Sequence, residues 1–248
     1  IFDDEGVTAV PTAQLLDLMR QFSGGGDDGT RIIPATRAVA AVPRSLSRRF
    51  PRLGLETAIA QALDRGPVQL HGSTGMGKTS LAVAAIGSRS DVGWINLRDC
   101  PGGIGGAKLE AAADFVVNRA TPCTVVLDDL DPGDDPRSIL LSLGHLVTAL
   151  ESVRGQLLMT GAQRLSQRIA QVVGLSEDGI FAAPAFTDSD IAAYFISAGC
   201  DPANAQIWGK LVYGSTSGHP QLVDARLGAL QEAGWPQPDI TELLATPA

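Results

Sequence analysis

The sequence predicts an α/β fold: a parallel sheet sandwiched by helices, followed by a small helical domain. Three observations carry that prediction. Short apolar runs alternate with helix-length segments from Val68 to Ala183. One run, "CTVVLDD" from Cys123 to Asp129, is continuously apolar until its acids, as suits a strand buried on both faces. After Pro184 the strands stop and three helical segments follow.

Taken in order, residues 1–30 read as a helix, "PTAQLLDLMRQF", and a linker, "SGGGDDGT". Pro11 suits a first helical turn, and Leu15, Leu16, Met19 and Phe22 form an apolar stripe. That helix is either the tail of an upstream domain or a segment packed on the main domain. Residues 31–185 form the α/β domain. Within it, Leu55, Ile59, Ala62 and Leu63 place one face of a helix over 53–63. Strands are expected at 68–70, 92–97, 123–128, 156–160 and 180–183. Helices are expected at 78–87, 107–119, 136–153 and 164–173. Residues 186–248 form the helical domain, whose first helix has Asp188 or Ser189 as its expected N-cap and Gly199 as its stop.

The chain has 248 residues, 44% of them hydrophobic, which is ample for a buried core. Its net charge of −8 argues against broad, non-specific nucleic-acid binding, which needs a positive surface. Cys100, Cys123 and Cys200 are scattered and make no metal-ligand spacing. They fit a reducing, cytoplasmic setting. No apolar run approaches the ~18–20 residues of a membrane helix. The sequence opens at "IFDDEG" without a Met and is expected to be a piece of a longer protein.

Residues 72–79, Gly72-Ser73-Thr74-Gly75-Met76-Gly77-Lys78-Thr79, fit the phosphate-loop pattern G-x-x-x-x-G-K-[ST] without a mismatch, and Ser80 follows. The glycines let successive N–H groups point inward, and a helix beginning near Lys78 adds its positive dipole end. Lys78 is placed to reach β- and γ-phosphates, and the Thr79 hydroxyl to hold Mg²⁺. "TVVLDDLD", Thr124 to Asp131, ends an apolar strand in two acids. Asp128 is expected to serve the Mg²⁺ and Asp129 to orient the attacking water; Asp131, Asp134 and Asp135 read as a solvated acidic turn. In "QLLMTGAQRL", Thr160 and Arg164 are either a γ-phosphate sensor or a helix cap and a surface arginine. In "STSGHPQLV", His219 and Pro220 read by composition alone as a turn residue and a first-turn proline.

Together these pieces resemble the STAND class of signal-transducing P-loop ATPases, to which NB-ARC and NACHT modules belong. The resemblance covers about residues 45–235 and rests on the order "FPRLGLETAIAQAL", phosphate loop, "GWINL", "VVLDDLD", "LLMTGAQR", "GHP". It implies a P-loop NTPase domain with a helical lid. It further implies that the backbone of Phe50-Pro51-Arg52 edges the adenine, that Thr160 and a displaced Arg164 act as sensor, and that Gly218-His219-Pro220 sets its proline near the base. The implied function is a slow ATP/ADP switch controlling self-association of a larger signalling or antiviral defence protein, whose effector and sensor domains lie outside this sequence. An AAA+-type ATPase, a STAND-type transcription regulator, a P-loop kinase and a scaffold with structural nucleotide are the competing readings.

Overall fold

The computed structural model describes residues 2–3, 6–7, 39–43, 50–87, 89–98, 100, 102–131 and 136–238. Residues 1–32 and 33–248 form two compact units. In the first, Phe2–Asp3 pairs antiparallel with Gly6–Val7. The helix and glycine-rich linker expected between residues 11 and 30 lie outside the described residues.

The second unit holds a five-stranded parallel sheet. Its strands are β1 (Val68–His71), β2 (Val92–Asn96), β3 (Thr124–Asp128), β4 (Gln156–Gly161) and β5 (Ile180–Ala182), in the order β2-β3-β4-β1-β5. Successive side chains of a strand point to opposite faces, and here both faces are covered. Val125 and Leu127 of β3 and Leu157 and Met159 of β4 pack in one core with α3 (Gly102–Arg119), α4 (Pro136–Val153) and α5 (Gln167–Val172). Val126 and Leu158 face the other way, against α1 (Leu53–Leu63) and α2 (Lys78–Ile86). The continuous apolar run in β3 is therefore required by the architecture. Fully burying each such side chain stabilises by about 1.5–3 kcal/mol. The outer edge of β2 is capped by a single antiparallel bridge, in which Ala40 and Trp94 exchange both backbone hydrogen bonds.

Three further helices follow: α6 (Asp188–Ser197), α7 (Pro202–Thr216) and α8 (Pro220–Glu232). They share a third core of Phe186, Ile191, Tyr194, Phe195, Val212, Val223 and Leu227, on which Phe50 also packs. The N-cap of α6 is Thr187, not Asp188 or Ser189. Its hydroxyl accepts from the Asp190 N–H while the Asp190 carboxylate accepts from the Thr187 N–H, a capping box that neither alternative completes. The helix before Arg119 begins at Gly102 rather than Ala107, and the one before Val173 begins at Gln167 rather than Arg164, capped by Ser166. Among the described residues no helix is long and apolar enough to cross a membrane.

Candidate functional site

β1 runs into the loop of residues 72–77, which turns into α2. Gly75 has φ +81°, a left-handed conformation that favours glycine, and a Cβ there would lie 2.4 Å from Gln221 Oε1 and His219 Cε1 and push both side chains away. Lys78, the first residue of α2, is 8% exposed. Its ammonium donates to the carbonyl oxygens of Gly72 at 2.6 Å and Ser73 at 3.0 Å. Burial pushes the Lys78 pKa below the usual lysine value; Asp129 and Asp128 oppose that shift, and the Arg98 guanidinium adds to it. The helix directs its positive dipole end toward the same loop.

β3 delivers the acids. Thr79 Oγ1 donates to Asp128 Oδ1 at 3.0 Å and Thr160 Oγ1 donates to the same oxygen at 2.7 Å. Thr160 Oγ1 in turn accepts the Asp129 N–H at 2.8 Å. Asp129 adopts φ +65°, a left-handed conformation that Asp tolerates better than most residues. This local turn at the strand end lets two consecutive carboxylates line one cleft instead of opposite faces. Arg98, just past β2, pairs with Asp129: Nε donates to Oδ2 at 2.9 Å.

The same cleft, about 420 Å³ in volume, is within the range of small-molecule sites. Its far end is aromatic. Phe50 and Phe186 meet edge to face at 5.8 Å, Phe50 and Tyr194 lie 5.4 Å apart, and the Arg52 guanidinium sits 4.2 Å above the Phe186 ring. Arg52 is fixed by its bond to the Pro184 carbonyl at 2.8 Å, and burial pushes its pKa below the usual arginine value while Asp190 and Glu56 oppose that shift. Tyr194 donates its hydroxyl proton to Asp224 at 2.9 Å. The helical group also reaches the loop directly. His219 Nε2 lies 2.9 Å from the Thr74 carbonyl oxygen, and the Gln221 N–H donates to the Gly75 carbonyl at 3.2 Å.

No protein-family model matches the sequence, and no curated protein matches it. Solved structures do resemble it. A single-substitution variant of Thermotoga maritima RuvB is 14% identical, with TM-score 0.55, covering 82% of this chain and 70% of its own. The ORC1 protein of Aeropyrum pernix, in complex with DNA, is 16% identical, with TM-score 0.54, covering 78% and 62%. A STAND protein with a tetratricopeptide repeat sensor, from Pyrococcus horikoshii, is 17% identical with TM-score 0.48 over 79% of this chain. The chain spans 31% of that protein's length. This is the P-loop ATPase fold. Identities of this size speak to the fold, and the sheet order with helices on both faces agrees with it.

Most of the residues expected at a P-loop site gather in the cleft. Thr74, Gly75, Met76, Gly77, Lys78, Thr79 and Ser80 line it from the loop, with Asp128, Asp129 and Thr160 beside them and Arg52 and Pro220 at the other end. Gly72 and Ser73 take part through the carbonyls that hold Lys78. His219 contacts the loop backbone, and Pro51 is exposed beside the cleft without lining it. Arg164 is not in the cleft. The buried Gln69 of β1 donates to the Gln163 carbonyl and accepts from the Leu165 N–H. That pins the loop so that Leu165 is buried and Arg164 points outward to pair with Glu177. Of the Phe50-Pro51-Arg52 motif, Phe50 and Arg52 line the cleft, and Glu56, Arg98, Phe186, Tyr194, Gln221 and Asp224 line it without having been singled out. One signal for Arg98 exists in the sequence: it follows directly on a strand's carboxyl end, where α/β sheets bind ligands.

The residues at the phosphate end suit Mg²⁺. Thr79 Oγ1 and the Asp128 carboxylate are hard oxygen donors 3.0 Å apart facing the cleft. Among the described residues no group of three or more His, Cys, Asp or Glu forms a metal cage. Mg²⁺ needs none, since it keeps waters and binds through one or two carboxylates plus substrate phosphates.

Proposed function

We propose that this chain is the ATP- and ADP-binding switch module of a larger protein, hydrolysing ATP slowly and using nucleotide state to control self-association. The observation that supports this best is the double attachment of the helical group to the phosphate loop. His219 and Gln221 hold the peptides at Thr74 and Gly75, so anything that reshapes the loop bears on the lid.

In this reading the base lies among Phe50, Phe186, Tyr194 and Pro220, with Arg52 at its edge. Lys78 turns from the Gly72 and Ser73 carbonyls to the β- and γ-phosphates. Thr79 and Asp128 would hold Mg²⁺, which neutralises charge on those phosphates. Asp129 orients the water for in-line attack, and Thr160 fixes both acids by bonding each. Hydrolysis is slow because a single chain has no arginine finger from a partner, a group that can be worth about 10³–10⁵ in rate. The partners are further copies of the chain and the effector and sensor domains of the same protein, in signalling or antiviral defence. The net charge of −8 disfavours broad, non-specific nucleic-acid binding by this segment.

A steady-state ATPase assay with identification of the co-purified nucleotide tests this. The expected result is bound ADP and turnover on the order of 10⁻⁴–10⁻² per second, the range of P-loop enzymes without a partner's arginine. Turnover of tens per second by a monomer would favour an AAA+-type enzyme instead. Bound nucleotide with no turnover at all would favour a scaffold.

A further inference from the structure

The phosphate end of the cleft holds a second cation that no motif supplies. We infer that Arg98 reads the γ-phosphate in cis: it rests on Asp129 in the ADP or empty state and moves to the terminal phosphate when ATP binds, leaving Asp129 to the attacking water. This inference rests on the cleft being a nucleotide site.

Three features of the structure support it. First, the backbone around Arg98 is fixed while its side chain is not buried. The Leu97 N–H donates to the Asp128 carbonyl at 2.8 Å, the Arg98 N–H donates to Asn96 Oδ1 at 2.9 Å, and Lys108 Nζ donates to the Asn96 carbonyl at 2.6 Å. These bonds tie the end of β2 to the end of β3 and to α3. The Arg98 side chain, in contrast, is 58% exposed. Second, the Arg98–Asp129 pair is cheap to exchange. With Asp129 itself 30% exposed, the ion pair is screened by solvent and contributes little. A phosphate carrying more charge and more acceptor oxygens competes well for a planar guanidinium. Third, Arg98 is close enough to Lys78 to disfavour its charged form, and the two cations line one end of the same cleft with Thr79 and Asp128. Asp128 and Asp129 only partly offset the two cations, so a further anion in this end of the cleft would be favourable. A γ-phosphate would supply such an anion, and it is the group that ADP lacks.

The consequence is a selectivity assigned to one residue. Lys78 serves both nucleotides, while Arg98 separates them. The test uses the whole chain and Mg²⁺ with fluorescent ATP and ADP analogues, comparing wild type, Arg98→Ala, Arg98→Lys and Lys78→Ala. Arg98→Ala is expected to lower the ATP-over-ADP affinity ratio about tenfold or more, the scale of one charge-assisted hydrogen bond. Its ADP affinity is expected to change less than about threefold, because ADP makes no use of the residue. Arg98→Lys keeps the charge but not the fork and should fall between the two. Arg98 is exposed, so both variants should fold, and thermal melts without nucleotide check this. A ratio within about twofold of wild type in Arg98→Ala would overturn the inference. That would leave the site intact provided Lys78→Ala loses both nucleotides. A wild-type chain that binds neither nucleotide would overturn the site and this inference together.

Discussion

Gly218→Ala tests the joint between the helical group and the phosphate loop. Gly218 has φ +71° and stands between α7 and α8, just before His219. Its carbonyl accepts the Phe186 N–H at 2.8 Å. A Cβ at this position would lie 1.9 Å from the Phe186 carbonyl oxygen and 2.9 Å from its carbon, so backbone must move by about 1 Å to reach the closest contact real side chains show. The left-handed conformation costs an alanine about 1–2 kcal/mol. Loss of the strained hydrogen bond adds about 1 kcal/mol. The sum, about 2–3 kcal/mol, corresponds to a Tm lowered by about 4–12 °C for a domain of this size. Gly234 provides the control: its φ is +72°, yet nothing lies within 4 Å of its Cβ position, so Gly234→Ala bears only the torsional cost. Thermal melts of the two variants, followed by ADP titration, make the comparison. Gly218→Ala should melt lower and bind ADP more weakly, because the displaced turn carries His219 and Gln221 off the loop. Equal Tm and equal ADP affinity in the two variants would refute the reasoning.

Two further outcomes are expected. Asp129→Asn should retain ATP and lower single-turnover hydrolysis by about 10²-fold or more, the contribution of a positioned proton acceptor, as read by quench-flow or radiolabel release. Cys123 and Cys200 are buried, and burial raises both thiol pKa values, so at a given pH less of each is thiolate than of a free cysteine. Native protein treated with iodoacetamide should therefore gain one adduct, on Cys100, and three only after denaturation, as read by intact mass.

The elements that were legible in the sequence were those with strong local signals. All five strands fall within a residue or two of where the apolar runs place them, because a strand buried on both faces leaves no polar residue to blur its ends. The strand order was not legible: alternation specifies parallel pairing but not which strand lies between β1 and β3. That place is taken by β4, which is why Thr160 can bond both Asp128 and Asp129. The start of α3 was missed because "GGIGG" carries a propensity cost of about 1 kcal/mol per glycine in a helix. Packing overrides it: Gly105 and Gly106 are buried, and a Cβ on Gly105 would sit 3.1 Å from Ile139 Cδ1. In the cleft, motif residues were found by pattern, whereas Phe186, Tyr194 and Asp224 come together only through tertiary contact between segments without a motif. Of the two alternatives for Arg164 the structure has the surface arginine, which the sequence could not decide because the side chain's direction follows from Gln69, far earlier in the chain, holding the loop at Gln163 and Leu165.

The most direct test of nucleotide binding at this cleft is the thermal shift given by MgADP and MgATP to wild type and to Lys78→Ala. At about 100 times the dissociation constant, a bound nucleotide stabilises the folded chain by about 2.7 kcal/mol, or about 5–11 °C here. Lys78 is buried and holds the Gly72 and Ser73 carbonyls, so each protein's shift is read against its own melt without nucleotide. The predicted result is a clear shift in wild type and none in Lys78→Ala. An equal shift in both would place the nucleotide elsewhere and contradict the assignment of this cleft.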